Sequence, residues 1–136
     1  MSSVPQSKRK KNKLEVAVRA VELEKHTLEL TSNEKMFDRK HATLVLRIED
    51  VALGIGRNIW AANNVKVDSP EDLALRRSYQ DAACACCTDL LHLINLAKRT
   101  FHLRRNSAHH WASMAVEVRS LCRKWKESDS RRYGDS

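Results

Sequence analysis

Apolar side chains recur every three or four residues through four separate stretches of the chain, the period of one face of an α-helix. The first stretch runs from about Lys13 to Asn33. In it Val16, Ala20, Leu23, Thr27 and Leu30 form one face, and Val18, Val21 and Leu28 widen it. A face that wide predicts contact with more than one neighbour. Thr31, Ser32 and Asn33 supply helix-ending chemistry, and Asp38 is placed to cap a second helix. Leu44, Ile48, Val51, Ile55 and Ile59 keep the helical rhythm there to about Ala62. Gly54 and Gly56 lie inside this helix and each costs ~1 kcal/mol relative to Ala, so they mark either a tight helix crossing or a local weakness.

Asn63 and Asn64 close the second helix. Ser69 as cap, Pro70 at the first helical position and Glu71 and Asp72 in the first turn open the third. Leu75, Tyr79, Ala82, Cys86, Leu90, Leu93, Ala97 and Phe101 form its expected apolar side, to about Leu103. Asn106 and Ser107 are expected to cap a fourth helix, where Trp111, Met114, Val118, Leu121 and Trp125 repeat at heptad-like spacing. Residues 1–12 are polar and basic without periodicity and are expected to form a disordered arm; the bundle then spans 13–127, with a flexible tail over 128–136. Short connections set successive helices antiparallel, so the expected fold is all-α, an up-down-up-down four-helix bundle.

Composition agrees with that pattern. Three Gly and two Pro in 136 residues leave little to interrupt helix, and aromatic residues make only 5% of the chain. No stretch approaches the ~18 to 20 apolar residues of a membrane span. The charges within Leu14 to Arg19 exclude the apolar segment of a secretory signal, so a cytoplasmic location is expected.

A net charge of +8 is large for this length and predicts an anionic partner, nucleic acid foremost. Up-down connectivity would bring Lys35, Arg39 and Lys40 near Lys98, Arg99, Arg104 and Arg105, joined by His41, His102, His109 and His110. No acid occurs between Leu90 and Val116, so this end is expected to be a basic platform for phosphates. The competing role for Lys98 and Arg99 is stabilisation of their own helix C-terminus. Lys8, Arg9, Lys10, Lys11 and Lys13 form a second basic group, with Arg123, Lys124, Lys126, Arg131 and Arg132 expected at the same end.

Catalytic and metal chemistry find little purchase. Cys84, Cys86 and Cys87 point ~100 to 200° apart on a helix and cannot converge on one ion; with Cys122 they read as reduced thiols that pack as small apolar residues. Gly54-Ile55-Gly56 sits mid-helix, without the strand that a nucleotide-binding loop follows. Paired carboxylates and a nucleophile elbow are lacking, so no catalytic, cofactor-binding or metal-binding residues are expected. Trp60, Trp111 and Trp125 are expected as core or interface anchors.

The chain resembles a bacterial four-helix-bundle family over most of residues 14 to 127. That family contains the accessory variability determinant (Avd) proteins of diversity-generating retroelements and the proteins of 23S ribosomal RNA intervening sequences. The resemblance is carried by Glu24-Lys25-His26-Thr27, by Thr31 through Phe37, by Arg47-Ile48 and by Ala61-Ala62-Asn63. Further on it is carried by Arg77-Ser78-Tyr79-Gln80, by Leu90 through Ala97, by Glu117-Val118 and by Trp125 through Asp129. It implies a non-catalytic accessory protein that assembles as a barrel-like homopentamer with a positive surface. Such a protein binds the element's reverse transcriptase with its template RNA and supports mutagenic copying into complementary DNA. A nucleic-acid-binding or structural adaptor serving ribosomal RNA, or another reverse-transcriptase system, would share these patterns.

Overall fold

The computed structural model of the chain describes the backbone of residues 6–134 and the side chains of residues 13–134. Among the described residues the regular elements are all helical: α1 (Gln6–Thr31), α2 (Ala42–Asn63), α3 (Pro70–Thr100) and α4 (Arg105–Tyr133), with a 3-10 turn (Arg39–His41) ahead of α2. The helices form a four-helix bundle in which α1 and α3 each pack on both α2 and α4. No helix among the described residues is long and apolar enough to cross a membrane.

The boundary chemistry at α3 acts as expected: the Ser69 hydroxyl accepts from the Asp72 amide at 3.1 Å, and Pro70 occupies the first turn. Four other boundaries move. Helix α1 begins at Gln6 rather than near Lys13, because Lys, Arg and Gln are strong helix formers and no Gly or Pro interrupts them. Asp38 caps the 3-10 turn, accepting from the Lys40 amide at 2.9 Å, and α2 starts after it. Asn106 and Ser107 fall inside the first turn of α4, whose cap position is Arg104 and has no side-chain cap bond. Helix α4 also runs on through the segment expected as a tail, because Asp129 anchors it to α3.

The core explains the length of α4. The Arg76 guanidinium donates through Nη1 to Asp129 Oδ1 at 3.1 Å and through Nη2 to the Val65 carbonyl at 2.7 Å. Gln80 donates to the other Asp129 oxygen at 3.0 Å, and Arg76 lies over the Trp125 and Tyr133 rings. These buried polar groups displace the first half of the expected apolar face of α3, where Leu73, Arg76, Gln80, Ala83 and Cys87 are buried and Leu75 is 48% exposed; in the second half Leu90, Leu93, Ala97 and Phe101 are buried as expected, with Ile94 beside them. On α4 the buried stripe keeps Trp111, Val118 and Trp125 but passes through Ala115 and Cys122, with Met114 and Leu121 only partly buried against the core. Trp111 and Trp125 are core; Trp60 is 69% exposed.

The two mid-helix glycines face different neighbours. A Cβ on Gly54 would make only ordinary contact with Cys86 of α3, at 3.4 Å, whereas on Gly56 it would strike the Glu24 carboxylate of α1. Neither supports a backbone-on-backbone crossing. What Gly56 admits is the far end of one flexible side chain, and burial there pushes the Glu24 carboxyl pKa up.

The α1/α4 seam holds a titratable pair. The His26 ring meets His110 edge-on, with centroids 5.2 Å apart, and His26 Nε2 is buried without a hydrogen-bond partner among the described residues. Burial first, and then the neighbouring His110, lowers the His26 pKa from its ordinary 6.5, opposed by Glu29. The unfolded chain therefore takes up this proton more readily than the folded one as pH falls below 6.5, and folding stability declines over that window. His26→Gln is expected to flatten the dependence of the urea midpoint on pH between 6.5 and about 5. An unchanged slope would assign the acid sensitivity to other groups.

Candidate nucleic-acid interface

The connection between α1 and α2 and the turn between α3 and α4 are locked together by aromatic rings. Phe37 is fully buried; its ring lies 4.9 Å from Phe101 and 6.1 Å from Trp111, and His41 meets Phe101 edge-on at 5.7 Å. Phe37 is flanked in sequence by Lys35, Arg39 and Lys40, and Phe101 by Lys98, Arg99, Arg104 and Arg105. The apolar cluster thus carries both sets of expected phosphate ligands on segments pinned to each other, and all seven side chains are exposed.

One of the seven has a structural task. Arg39 pairs with Glu34 at 3.0 Å and donates to the Thr31 carbonyl at 3.4 Å, tying the connection to the end of α1. The other six, Lys35, Lys40, Lys98, Arg99, Arg104 and Arg105, make no side-chain ion pair or hydrogen bond to another described residue. Lys98 and Arg105 share a groove of about 550 Å³ with Asn95, Asn106 and His109, floored by Leu91 and Ile94. Amide donors beside cations give this groove hydrogen-bond partners as well as charge for a phosphodiester or a base edge.

The backbone adds to the positive field. Helix α3 closes with the Leu103 amide bonded to the Lys98 carbonyl at 3.2 Å, and His102 takes the left-handed conformation at φ 53°. That bend delivers the chain directly into α4, whose first turn contains no acid and whose cap residue contributes no acceptor. The positive end of the α4 dipole, without a side-chain cap, therefore lies at the exposed residues Arg104 and Arg105. Lys98 and Arg99 occupy the last turn of α3, where they also complement its C-terminal carbonyls.

The second basic group divides. The backbone of Lys8, Arg9, Lys10 and Lys11 is helical, as the first turns of α1, but their side chains lie outside the described residues. Lys13 sits next to Arg76, Asp129 and Arg132, and burial, followed by the Arg76 charge, lowers its pKa. Arg76 and Asp129 belong to the far ends of α3 and α4, so this group lies at the opposite end of those helices from Arg104 and Arg105.

A third surface was only partly legible. Val21, Leu28 and Leu53 are exposed and line an apolar groove of about 550 Å³ with Glu24, Lys25 and Glu29. Leu46, Leu53 and Trp60 on α2 are all exposed and recur every seventh residue. Among the described residues no group of three or more His, Cys, Asp or Glu is arranged to hold a metal ion. No family model matches the chain, and neither does any curated protein or solved structure.

Proposed function

We propose that this chain is a non-catalytic accessory subunit of a diversity-generating retroelement, binding the reverse transcriptase with its template RNA or complementary DNA through a basic surface. The observation that carries the nucleic-acid part is the set of six exposed cations, without a side-chain partner among the described residues, on two segments joined by the Phe37–Phe101 contact. The element and the enzyme partner rest on the sequence resemblance. Opposed residue pairings support an antiparallel up-down-up-down bundle: Arg19 with Glu117, Thr27 with Trp111, Arg47 with Asp89, and Arg76 with Asp129. The exposed apolar side of α1 and α2 favours a protein neighbour, either other copies in a barrel-like homopentamer or the reverse transcriptase. The same apolar side favours the second reading, an adaptor bundle serving ribosomal RNA or another reverse-transcriptase system in the cytoplasm.

Co-purification from the native host, with identification of bound RNA and protein and measurement of the complex mass, separates these readings. A reverse transcriptase and its template RNA on a five-fold assembly is the expected result. Ribosomal RNA without a reverse transcriptase would favour the adaptor. A monomer free of nucleic acid would remove both.

A further inference from the structure

Helices α3 and α4 pack on each other and leave a groove of about 550 Å³ beside the turn that joins them. Leu91, Asn95 and Lys98 of α3 follow one another at spacings of four and three, so they share one helix face. Arg105, His109 and Ala112 of α4 repeat the same spacings on the other wall. On each helix the cation stands nearest the connection, a planar polar side chain about one turn further along, and an apolar residue about one turn beyond that. Ile94 and Ala108, 3% and 4% exposed, close the bottom. The groove therefore grades from charge through hydrogen-bonding groups to hydrocarbon over about two turns, ~10 Å.

The amides of this groove have no structural task. Asn95 lies within α3 and Asn106 in the first turn of α4; both are exposed, and neither hydrogen-bonds another described residue. Asn58 of α2, by contrast, donates to the Gly54 carbonyl one turn back. Asparagine is a poorer helix residue than alanine, so α3 gains nothing from carrying one at position 95. The concave shape decides which form of nucleic acid can reach these amides. Base edges of a duplex lie inside its grooves, where a protruding helix or strand reads them. Amides lining a hollow cannot enter such a groove, so the base has to come to the protein, as the splayed bases of a single strand do.

We propose that this groove binds one unpaired nucleobase of a single-stranded nucleic acid, a site that rests on the nucleic-acid role proposed above and narrows it to unpaired strands. The phosphate of that nucleotide lies on Lys98 and Arg105 at the outer end. The base edge, which presents donors beside acceptors, meets the Asn95 and Asn106 amides, each of which offers both. The ring face covers the hydrocarbon of Leu91, Ile94 and Ala112, with the His109 imidazole as a further planar surface. Phosphate, base edge and ring face thus meet charge, amide and hydrocarbon in the order in which the groove supplies them. Arg99 and Arg104, exposed to either side of the turn, remain for the neighbouring phosphates of the strand.

The test measures binding of the full chain to three DNA probes of about 12 nucleotides: a mixed-sequence single strand, a strand of the same length that is abasic throughout, and the single strand paired to its complement. The intact strand should bind about fivefold or more tighter than the abasic one, with the same salt slope, since the two carry equal phosphates. Asn95→Ala with Asn106→Ala should remove most of that difference and leave the abasic strand, the duplex and the salt slope unchanged. Equal affinity for the intact and abasic strands would overturn the base site while leaving the basic surface in place, and this comparison needs no variant to fold. An equal loss on all three probes in the double variant would overturn it too, because the amides would then serve the phosphates. Absence of binding to any probe would remove the nucleic-acid role itself, and the base site with it.

Discussion

Asp129→Ala is expected to cost about 3–5 kcal/mol of folding stability, because it leaves a buried guanidinium without its counter-ion. Arg76 and Asp129 are 4% and 5% exposed, so solvent cannot replace the lost carboxylate without opening the end of the bundle. The variant also strips Gln80 of its acceptor, and Gln80 is fully buried with Oε1 already unpaired among the described residues. The Val65 carbonyl and the Trp125 and Tyr133 rings remain around Arg76, but a carbonyl and two ring faces do not neutralise a full charge. Denaturant unfolding measures the effect. Replacing both partners by apolar residues of similar volume, Arg76→Met with Asp129→Leu, should recover most of the loss, since no uncompensated charge is then buried. A cost below about 1 kcal/mol for Asp129→Ala would mean that Arg76 reaches water, as an exposed pair would.

Arg104→Glu with Arg105→Glu should weaken binding of RNA or DNA by at least about tenfold, near 1.4 kcal/mol, and lower the salt slope by about two. The position of these residues separates binding from folding. Both stand at the start of α4, where negative charge complements the helix dipole, so the variant should be as stable as the parent or gain about 0.3–1 kcal/mol. Affinity and stability are therefore expected to move in opposite directions, which a damaged fold cannot produce. Affinity should be measured across several salt concentrations together with thermal unfolding. Unchanged affinity would remove the α3/α4 end as the contact surface and leave the α1 N-terminus as the next candidate.

The helical character of the chain was legible because apolar spacing and boundary residues agreed over long stretches. Ser69, Pro70, Glu71 and Asp72 mark the start of α3 in the sequence as plainly as in the structure. Legibility failed where a polar residue took a core position. Arg76 and Gln80 interrupt the apolar rhythm of α3, so the expected face was drawn through Leu75 and Tyr79 instead. The signal that would have corrected it is Asp129, an acid in an otherwise basic C-terminal run, but nothing local links residues so far apart in the chain. The same distance hid the anchored end of α4.

The candidate interface was legible in part for a related reason. Charge and the lack of acids between Leu90 and Val116 are properties of the sequence, and they singled out seven cations that are all exposed in the structure. That Arg39 is committed to Glu34 and Thr31 depends on side-chain geometry. The cysteines show the same division: sequence spacing separates their directions around the helix, and only packing decides that Cys87 is fully buried while Cys86 meets Asn58 and Cys122 meets the Gln80 carbonyl.

By itself, then, the sequence determined the helices, the third helix's start, the excess of positive charge and its concentration around two connections, because local propensity, capping and composition act over neighbouring residues. The tertiary structure decided which polar groups and thiols are buried, which described cations lack a partner and which apolar residues remain exposed. Those outcomes depend on the rotation of each helix about its own axis, and that rotation is set by burying the best-matched set of side chains across all four helices at once.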